Sequence, residues 1–145
     1  MLALAAPGRA GTTTRPAPDR LLDAIRQVET GGHARPAEAV GDGGRSIGPY
    51  QIQPGYWRDA CLTDPTLARF PYETVKDAAY ARRVIVAYWR RYARTALARG
   101  DWQTLARVHN GGPAGARNPR TAGYWAKVVR ELNKTPRRQD AKGAK

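Results

Sequence analysis

Two carboxylates in contrasting backbone settings are the residues of this 145-residue chain best suited to chemistry. Glu29 ends an amphipathic segment just before Thr30-Gly31-Gly32, and Asp42 lies 13 residues later in the turn Gly41-Asp42-Gly43-Gly44. Hydrolysis of a glycosidic bond needs such a pair, because one carboxyl group must hold a proton while the other stays ionised. The two residues therefore predict a site that cuts a polysaccharide.

The predicted environments of the two carboxylates differ. Leu22, Ile25 and Glu29 are spaced i, i+3, i+7, so Glu29 shares the apolar face of its helix, where burial favours the protonated form that a general acid requires. The glycines around Asp42 expose backbone amides, which keep a carboxylate ionised. Taken alone, Glu29 also fits a solvated helix end and Asp42 a common Asp-Gly turn. The neighbouring motifs favour the catalytic interpretation.

Residues near the two carboxylates are candidates for binding a sugar. Gly48-Pro49-Tyr50-Gln51-Ile52 offers an aromatic ring and an amide beside a glycine, where the backbone can approach a ligand closely. The same tyrosine also suits a hairpin that enters the core. Ser46 can donate a hydrogen bond to Asp42 or to its own turn. His109-Asn110-Gly111-Gly112-Pro113 places two polar side chains at a helix end beside a tight turn, which favours a ligand-facing loop.

The elements that must position these residues are mostly helices. Capping residues and apolar periodicity predict five helices. The first is capped by Asp19, the second opens at Pro54, and the third runs from about Thr74 to Arg99. The fourth is capped by Asp101, and the last carries Tyr124, Val128 and Leu132. Gly31 and Gly32 end the first helix, and Ser46 to Gln53 suits a short, irregular hairpin. The predicted fold class is mainly α, an α+β helical bundle around a central long helix with a hairpin after the first helix.

Composition predicts one folded domain with two polar arms. Residues 1–17 lack periodicity and predict a disordered arm, and residues 134–145 predict a disordered basic tail, so the domain is expected to span residues 18–133. No run of residues is long enough for a membrane helix, and the apolar start is too short for a complete signal peptide. Cys61 is the sole cysteine, so the chain can form no internal disulfide or cysteine metal cluster, and we expect neither a metal nor a cofactor.

The charge of the chain is strongly positive. Lys and Arg number 25 against 12 Asp and Glu, a formal net charge of +13. Such a field attracts polyanions, which include nucleic acid, an acidic membrane face and an anionic cell wall. An ordinary solvated basic surface fits the same charge. No nucleic-acid motif is visible, so we expect no specific nucleic-acid partner. We also expect no membrane insertion and a monomeric protein.

The order and spacing of several motifs resemble invertebrate-type, destabilase-like lysozymes. The similar segments lie between about Leu21 and Leu132 and are Glu29-Thr30-Gly31, residues 42–52, 56–61, 88–92, 106–115 and 123–125. The resemblance implies a mostly helical lysozyme-like fold and an antimicrobial hydrolase that cleaves the β-1,4 bond between N-acetylmuramic acid and N-acetylglucosamine of peptidoglycan. It implies Glu29 as the general acid and Asp42 as the nucleophile or stabilising carboxylate. It also implies cleft positions for Ser46, Tyr50, Gln51, His109 and Asn110.

The chain departs from that family pattern in its cysteines. Animal members are rich in disulfides, whereas Ile47 and Ala116 stand at two of the positions where those members have cysteine. This departure predicts a cysteine-poor, bacterial-style relative that is stabilised by packing. The substrate predicts a secreted or periplasmic location. Ser46 and His109 are also candidates for the isopeptidase activity that some members of the family are credited with.

Two other functions compete with a retaining, two-carboxylate muramidase. A Glu after a helix followed by a Gly-x-Tyr-Gln-Ile segment also resembles lytic transglycosylases, which use a single catalytic Glu and leave an anhydro sugar. Asp42 in its matching position favours hydrolysis. The other competitor is a catalytically inactive basic module that binds cell wall or nucleic acid.

Overall fold

The computed structural model describes residues 17–142, and side-chain surroundings are described for residues 18–134. Its regular elements in chain order are α1 (Ala17–Thr30), β1 (Val40–Gly41), β2 (Ser46–Ile47), α2 (Pro54–Thr63), α3 (Ala78–Tyr92), α4 (Arg94–Arg99), α5 (Trp102–Gly111) and α6 (Ala122–Lys142). Short 3-10 turns join several of them. The described chain is thus mainly helical with one hairpin after the first helix, which confirms the predicted fold class.

The core forms around α3. This helix packs against α2 and α5, and α1 packs against α6. Trp89 of α3 is fully buried, and its indole N–H donates to the backbone oxygen of Leu105 at 2.9 Å. Ile25 of α1 and Val128 of α6 are also fully buried. Each large apolar side chain buried in this way stabilises the fold by about 1.5–3 kcal/mol, so packing holds α1, α5 and α6 in place around the cleft described below.

The hairpin is short and begins earlier than the sequence predicts. β1 and β2 pair antiparallel with Val40 opposite Ile47 and Gly41 opposite Ser46, so strand pairing starts at residue 40. Within the predicted segment Ser46 to Gln53, Ile47 also pairs antiparallel with Ile52, which confirms the tight turn expected there. The turn between the strands contains Asp42, whose φ of 52° lies in the left-handed region. Only local hydrogen bonding or surrounding structure holds a non-glycine residue in that conformation, and this turn is where the predicted second carboxylate lies.

The predicted long helix from Thr74 to Arg99 is wrong. The Asp77 carboxylate accepts a hydrogen bond from the backbone N–H of Tyr80 at 2.8 Å, which makes Asp77 the N-cap of α3. Residues 72–76 form a separate 3-10 turn. At the other end Ala93, with φ −142° and ψ 39°, separates α3 from α4. The central helix is therefore 15 residues long.

The predicted boundaries of the domain, at residues 18 and 133, stay a prediction. The predicted arm of residues 1–17 lies outside the described residues except for Ala17, where α1 begins, two residues before the predicted cap Asp19. α6 continues to Lys142, beyond the start of the predicted tail at residue 134, and residues 143–145 lie outside the described part. Across the residues that are described, no helix combines the length and the apolar character that crossing a membrane requires.

Candidate active site

A cleft of about 480 Å³ lies between the end of α1, the hairpin and the C-terminal end of α5. Its walls are formed by Glu29, Asp42, Ser46, Gln51, Gln53, Tyr56, Tyr88, His109, Asn110, Gly111 and Gly112. A shallower depression of about 350 Å³ shares Glu29 and Gln51 with it. The two predicted carboxylates therefore line one continuous concave surface, together with Ser46, Gln51, His109 and Asn110 from the predicted binding residues.

Glu29 is held at the cleft by three helices. It is the second-last residue of α1, and its side chain is 19% exposed. The hydroxyl of Tyr124 on α6 donates to Glu29 Oε1 at 2.9 Å, and Nε2 of His109 on α5 lies 3.6 Å from the same oxygen. Thr30 ties the end of α1 to the loop after the hairpin, because its hydroxyl donates to the Pro49 carbonyl at 2.8 Å. The Glu29 carboxyl group is thus mostly buried and has a fixed orientation.

Aromatic rings enclose the far side of His109. Its imidazole side chain is 3% exposed, and Nδ1 lies 3.0 Å from the hydroxyl of Tyr56 on α2. The ring of Tyr88 stacks on the Tyr56 ring with centroids 3.6 Å apart and planes 9° apart. Burial, with Tyr88 and Glu29 nearby, raises the pKa of Tyr56 well above its ordinary value. Burial likewise raises the pKa of Tyr124, so both phenols keep their protons.

Asp42 has the opposite environment. Its Oδ2 accepts hydrogen bonds from the Ser46 hydroxyl at 2.6 Å and from the Gln53 side-chain amide at 3.4 Å. These hydrogen bonds, the one from Ser46 foremost, lower the pKa of Asp42, and the charge of Arg45 acts in the same direction. The predicted donation from Ser46 is thus confirmed, and the second donor is the Gln53 side chain rather than a backbone amide. The carboxyl group is therefore held ionised on an open face of the cleft.

Tyr50 is a predicted binding residue that the structure removes from the cleft. Its ring is fully buried, and its hydroxyl accepts a hydrogen bond from Nε of Arg82 at 2.8 Å. Arg82 also pairs with Asp23 of α1. The prediction for Tyr50 is wrong because the ring lies in the core, where it anchors the loop after the hairpin to α3 and α1. The hairpin interpretation of this tyrosine, in which the ring enters the core, is the one that the structure supports.

The remaining predicted residues have specific partners. Gln51 lines the cleft, and its side-chain amide donates to the carbonyl of Gly48 at 2.9 Å, which fixes the loop. Asn110 lines the cleft and is exposed. Ser46 donates to Asp42, while both ring nitrogens of His109 face Tyr56 and Glu29. The partners of Ser46 and His109 therefore do not support the serine–histidine pair that an isopeptidase needs.

Four residues of the site were not predicted from the sequence, namely Gln53, Tyr56, Tyr88 and Tyr124. Tyr124 is separated from Glu29 by 95 positions, so no local spacing could have joined them. Gln53 could have been found from the sequence, because it is the last residue of the predicted hairpin segment that begins at Ser46. Within the described part of the chain, no three His, Cys, Asp or Glu side chains lie close enough together to hold a metal ion.

Comparisons with known proteins identify the relatives of this chain. Its sequence matches the family described as Destabilase over residues 19–131. It is 36% identical over 83 residues to a lysozyme of Magallana gigas, covering 57% of this chain and 58% of that protein. It is also 36% identical over 84 residues to lysozyme 1 of Crassostrea virginica, covering 57% of this chain and 43% of that protein. The chain thus spans about half the length of these relatives.

A solved structure shares the fold as well. The crystal structure of Tapes japonica lysozyme superposes with a TM-score of 0.61 and 28% sequence identity, covering 75% of this chain and 85% of that chain. An inhibitor-bound lysozyme from Meretrix lusoria superposes with a TM-score of 0.58 at the same identity and coverage. The fold is therefore lysozyme-like.

Proposed function

The chain belongs to the destabilase family of invertebrate-type lysozymes, and from that premise we propose that it is a muramidase. The substrate is peptidoglycan, and the bond cleaved is the β-1,4 bond between N-acetylmuramic acid and N-acetylglucosamine. The observation that carries the proposal is the pair of carboxylates on one cleft, with Glu29 mostly buried at a helix end and Asp42 held ionised by side-chain donors. A retaining glycosidase uses one carboxyl group as the general acid and a second, ionised one as the nucleophile.

The proposed reaction has two steps. Glu29 donates its proton to the oxygen of the glycosidic bond as that bond breaks, while Asp42 attacks the anomeric carbon or stabilises the positive charge that develops there. The leaving sugar departs with the proton from Glu29. The Glu29 carboxylate then removes a proton from a water molecule, whose oxygen displaces Asp42 and restores both groups.

The shape of the surface supports a polymeric substrate. Glu29 and Gln51 line both the cleft and the neighbouring depression, so the concave surface continues past the proposed acid. A polysaccharide chain needs room on both sides of the bond that is cut. Because peptidoglycan lies outside the cytoplasm, the proposal includes a secreted or periplasmic location. It also includes an antimicrobial action and a monomeric enzyme.

The experiment that tests the function is clearance of purified peptidoglycan by the wild-type chain and by Glu29→Gln, Asp42→Asn and Glu73→Gln. Glu73→Gln is the matched control, because Glu73 is exposed on a turn before α3 and makes the same chemical change away from the cleft. We expect Glu29→Gln to lower the rate by about 10²–10⁴-fold, the range for loss of a general acid. The control is expected to retain wild-type activity. Full activity in Glu29→Gln would contradict the proposal.

The masses of the products distinguish the competing chemistries. Hydrolysis adds one water to each cleaved bond, and we expect products of that mass together with a large loss of rate in Asp42→Asn. Products lacking that water, with little loss in Asp42→Asn, would instead indicate a lytic transglycosylase that relies on Glu29 alone. Tight binding of peptidoglycan without any product would indicate an inactive binding module.

A further inference from the structure

Two side chains of different helices approach the same oxygen of Glu29. The Tyr124 hydroxyl donates to Oε1 at 2.9 Å, and the His109 Nε2 atom lies 3.6 Å from Oε1. Both contacts therefore select Oε1 rather than Oε2. A carboxyl group can carry its proton on either oxygen, so an environment that treats the two oxygens differently determines which one delivers it.

The contact between Tyr56 and His109 bears on the tautomer of the imidazole. The Tyr56 hydroxyl is buried and keeps its proton, and it lies 3.0 Å from Nδ1 of the imidazole. With the imidazole neutral, a Tyr56 O–H that donates to Nδ1 leaves the ring proton on Nε2. Nε2–H then points as a donor towards Glu29 Oε1. The donors are thus ordered in one direction, from the Tyr56 hydroxyl to His109 Nδ1 and from His109 Nε2–H towards Glu29 Oε1, which lies 3.6 Å from Nε2.

We propose, on the basis of the proposed function, that Tyr56 and His109 are positioning residues that fix which oxygen of the general acid carries the proton. His109 is held as the Nε2–H tautomer, and together with Tyr124 it reserves Oε1 as a hydrogen-bond acceptor. The catalytic proton is therefore confined to Oε2 and passes from there to the glycosidic oxygen. A proton on Oε1 would face the donor hydrogens of both neighbours.

Contacts between aromatic rings hold Tyr56 and His109 in this arrangement. Tyr88 of α3 lies flat against the Tyr56 ring, and the Tyr56 ring meets the His109 ring edge-on with centroids 5.4 Å apart. The ionisable groups that face the imidazole are Glu29 from α1 and Tyr56 from α2. Tyr88 from α3 packs on Tyr56, Tyr124 from α6 bonds Glu29, and Asp42 of the hairpin lines the same cleft. Each of these helices contributes one ring or carboxyl group, so the orientation of the acid depends on how the whole bundle packs.

The tautomer is measured directly by long-range proton–nitrogen NMR on the full chain. The sequence contains two histidines, and His33→Gln assigns the remaining signals to His109. We expect neutral His109 to carry its proton on Nε2 and to have an unprotonated Nδ1. We expect Tyr56→Phe to shift the Nδ1 signal as its hydrogen bond is lost. A proton on Nδ1 in the wild-type protein, or an unchanged Nδ1 signal in Tyr56→Phe, would overturn the proposal.

Kinetics separate positioning from general stability. Tyr56→Phe and His109→Leu are expected to lower kcat by about tenfold, the effect of one hydrogen bond near the reacting group, with KM changed by less than about twofold. His109→Gln is expected to recover most of kcat, because its amide can donate to Oε1. Wild-type kcat in both Tyr56→Phe and His109→Leu, or no recovery in His109→Gln, would overturn the proposal.

The second donor to Oε1 supplies a second readout. Tyr124→Phe removes the O–H that donates to Oε1 at 2.9 Å, so kcat is expected to fall by about tenfold with KM changed by less than about twofold. Tyr72→Phe is the control, because its hydroxyl donates to the Ile52 carbonyl at 2.6 Å and lies outside the cleft, and its kcat is expected to match the wild type. Wild-type kcat in Tyr124→Phe would overturn the proposal. The NMR result is independent of activity, so it stands even if Glu29→Gln disproves the muramidase.

Discussion

The Ser46 hydroxyl lowers the pKa of the second carboxylate, and its removal is the sharpest test at the level of single residues. Its hydroxyl gives the largest contribution to the lowered pKa of Asp42, because it donates to the charged form. Ser46→Ala is therefore expected to raise the pKa of Asp42 towards its ordinary value. The acidic limb of kcat/KM is then expected to move to higher pH, while activity near neutral pH changes little because Asp42 stays ionised there.

Thr66→Val provides a matched control for Ser46→Ala. The Thr66 hydroxyl donates to Asp64 Oδ1 at 2.5 Å and lowers the pKa of Asp64 in the same way, but the pair lies outside the cleft. Titration of the carboxyl carbons by NMR is expected to show an upward pKa shift in each variant. Only Ser46→Ala is expected to change the pH profile of activity. An identical profile in Ser46→Ala would show that Asp42 need not be ionised for catalysis.

Site residues could be predicted where neighbouring residues in the sequence indicate their role, and not where a contact joins distant parts of the chain. Glu29 was found from helical spacing and Asp42 from a glycine turn, and both line the cleft. Tyr124 was not found as a partner of Glu29, since a contact made across helices leaves no periodic trace in the sequence. Tyr50 was assigned to the ligand because aromatic rings suit sugars and cores alike, and only packing distinguishes the two uses.

At the level of elements, the loop after the hairpin depends on Gly48. Its φ is +80°, and a Cβ at this position would lie 2.7 Å from the Val75 carbonyl oxygen. Gly48→Ala therefore combines a strained backbone with a clash against backbone atoms. We expect it to lower the free energy of unfolding by about 2–4 kcal/mol, measured by urea denaturation.

Two other glycines separate these effects. Gly100 ends α4 with φ +66° and has open space where a Cβ would lie, so Gly100→Ala is expected to cost about 1 kcal/mol from the backbone alone. Gly32 has open space and no positive φ, so Gly32→Ala is expected to be neutral or to stabilise by up to about 1 kcal/mol. Equal losses for Gly48→Ala and Gly100→Ala would show that the contact with Val75 is unimportant.

Helix ends were predictable where one residue determines them. Asp101 caps α5 by accepting from the Thr104 backbone N–H at 3.1 Å, and Gly100 adopts the left-handed conformation that ends α4. The break between α3 and α4 at Ala93 was not predictable, because residues 72–99 contain neither glycine nor proline. Ala93 is almost fully buried, so tertiary packing overrides the continuous helical pattern there.

For the whole molecule, charge and fold act on different stages of the proposed reaction. The fold brings Glu29 and Asp42 to one cleft, whereas the formal net charge of +13 acts over longer distances on an anionic polymer. Bond cleavage depends on contacts of about 3 Å and is insensitive to salt, whereas long-range attraction falls off over a Debye length of about 10 Å at 0.1 M salt. Salt therefore separates the two contributions.

The last prediction concerns that separation. We expect kcat/KM on peptidoglycan to fall steeply between low salt and 0.5 M salt, and kcat/KM on an uncharged N-acetylglucosamine oligomer to change little. Arg94→Gln combined with Arg99→Gln removes two exposed charges of α4 that lie outside the cleft. This double variant is expected to lower kcat/KM on peptidoglycan at low salt only. Equal salt dependence on both substrates would mean that the charge serves solubility rather than encounter with the wall.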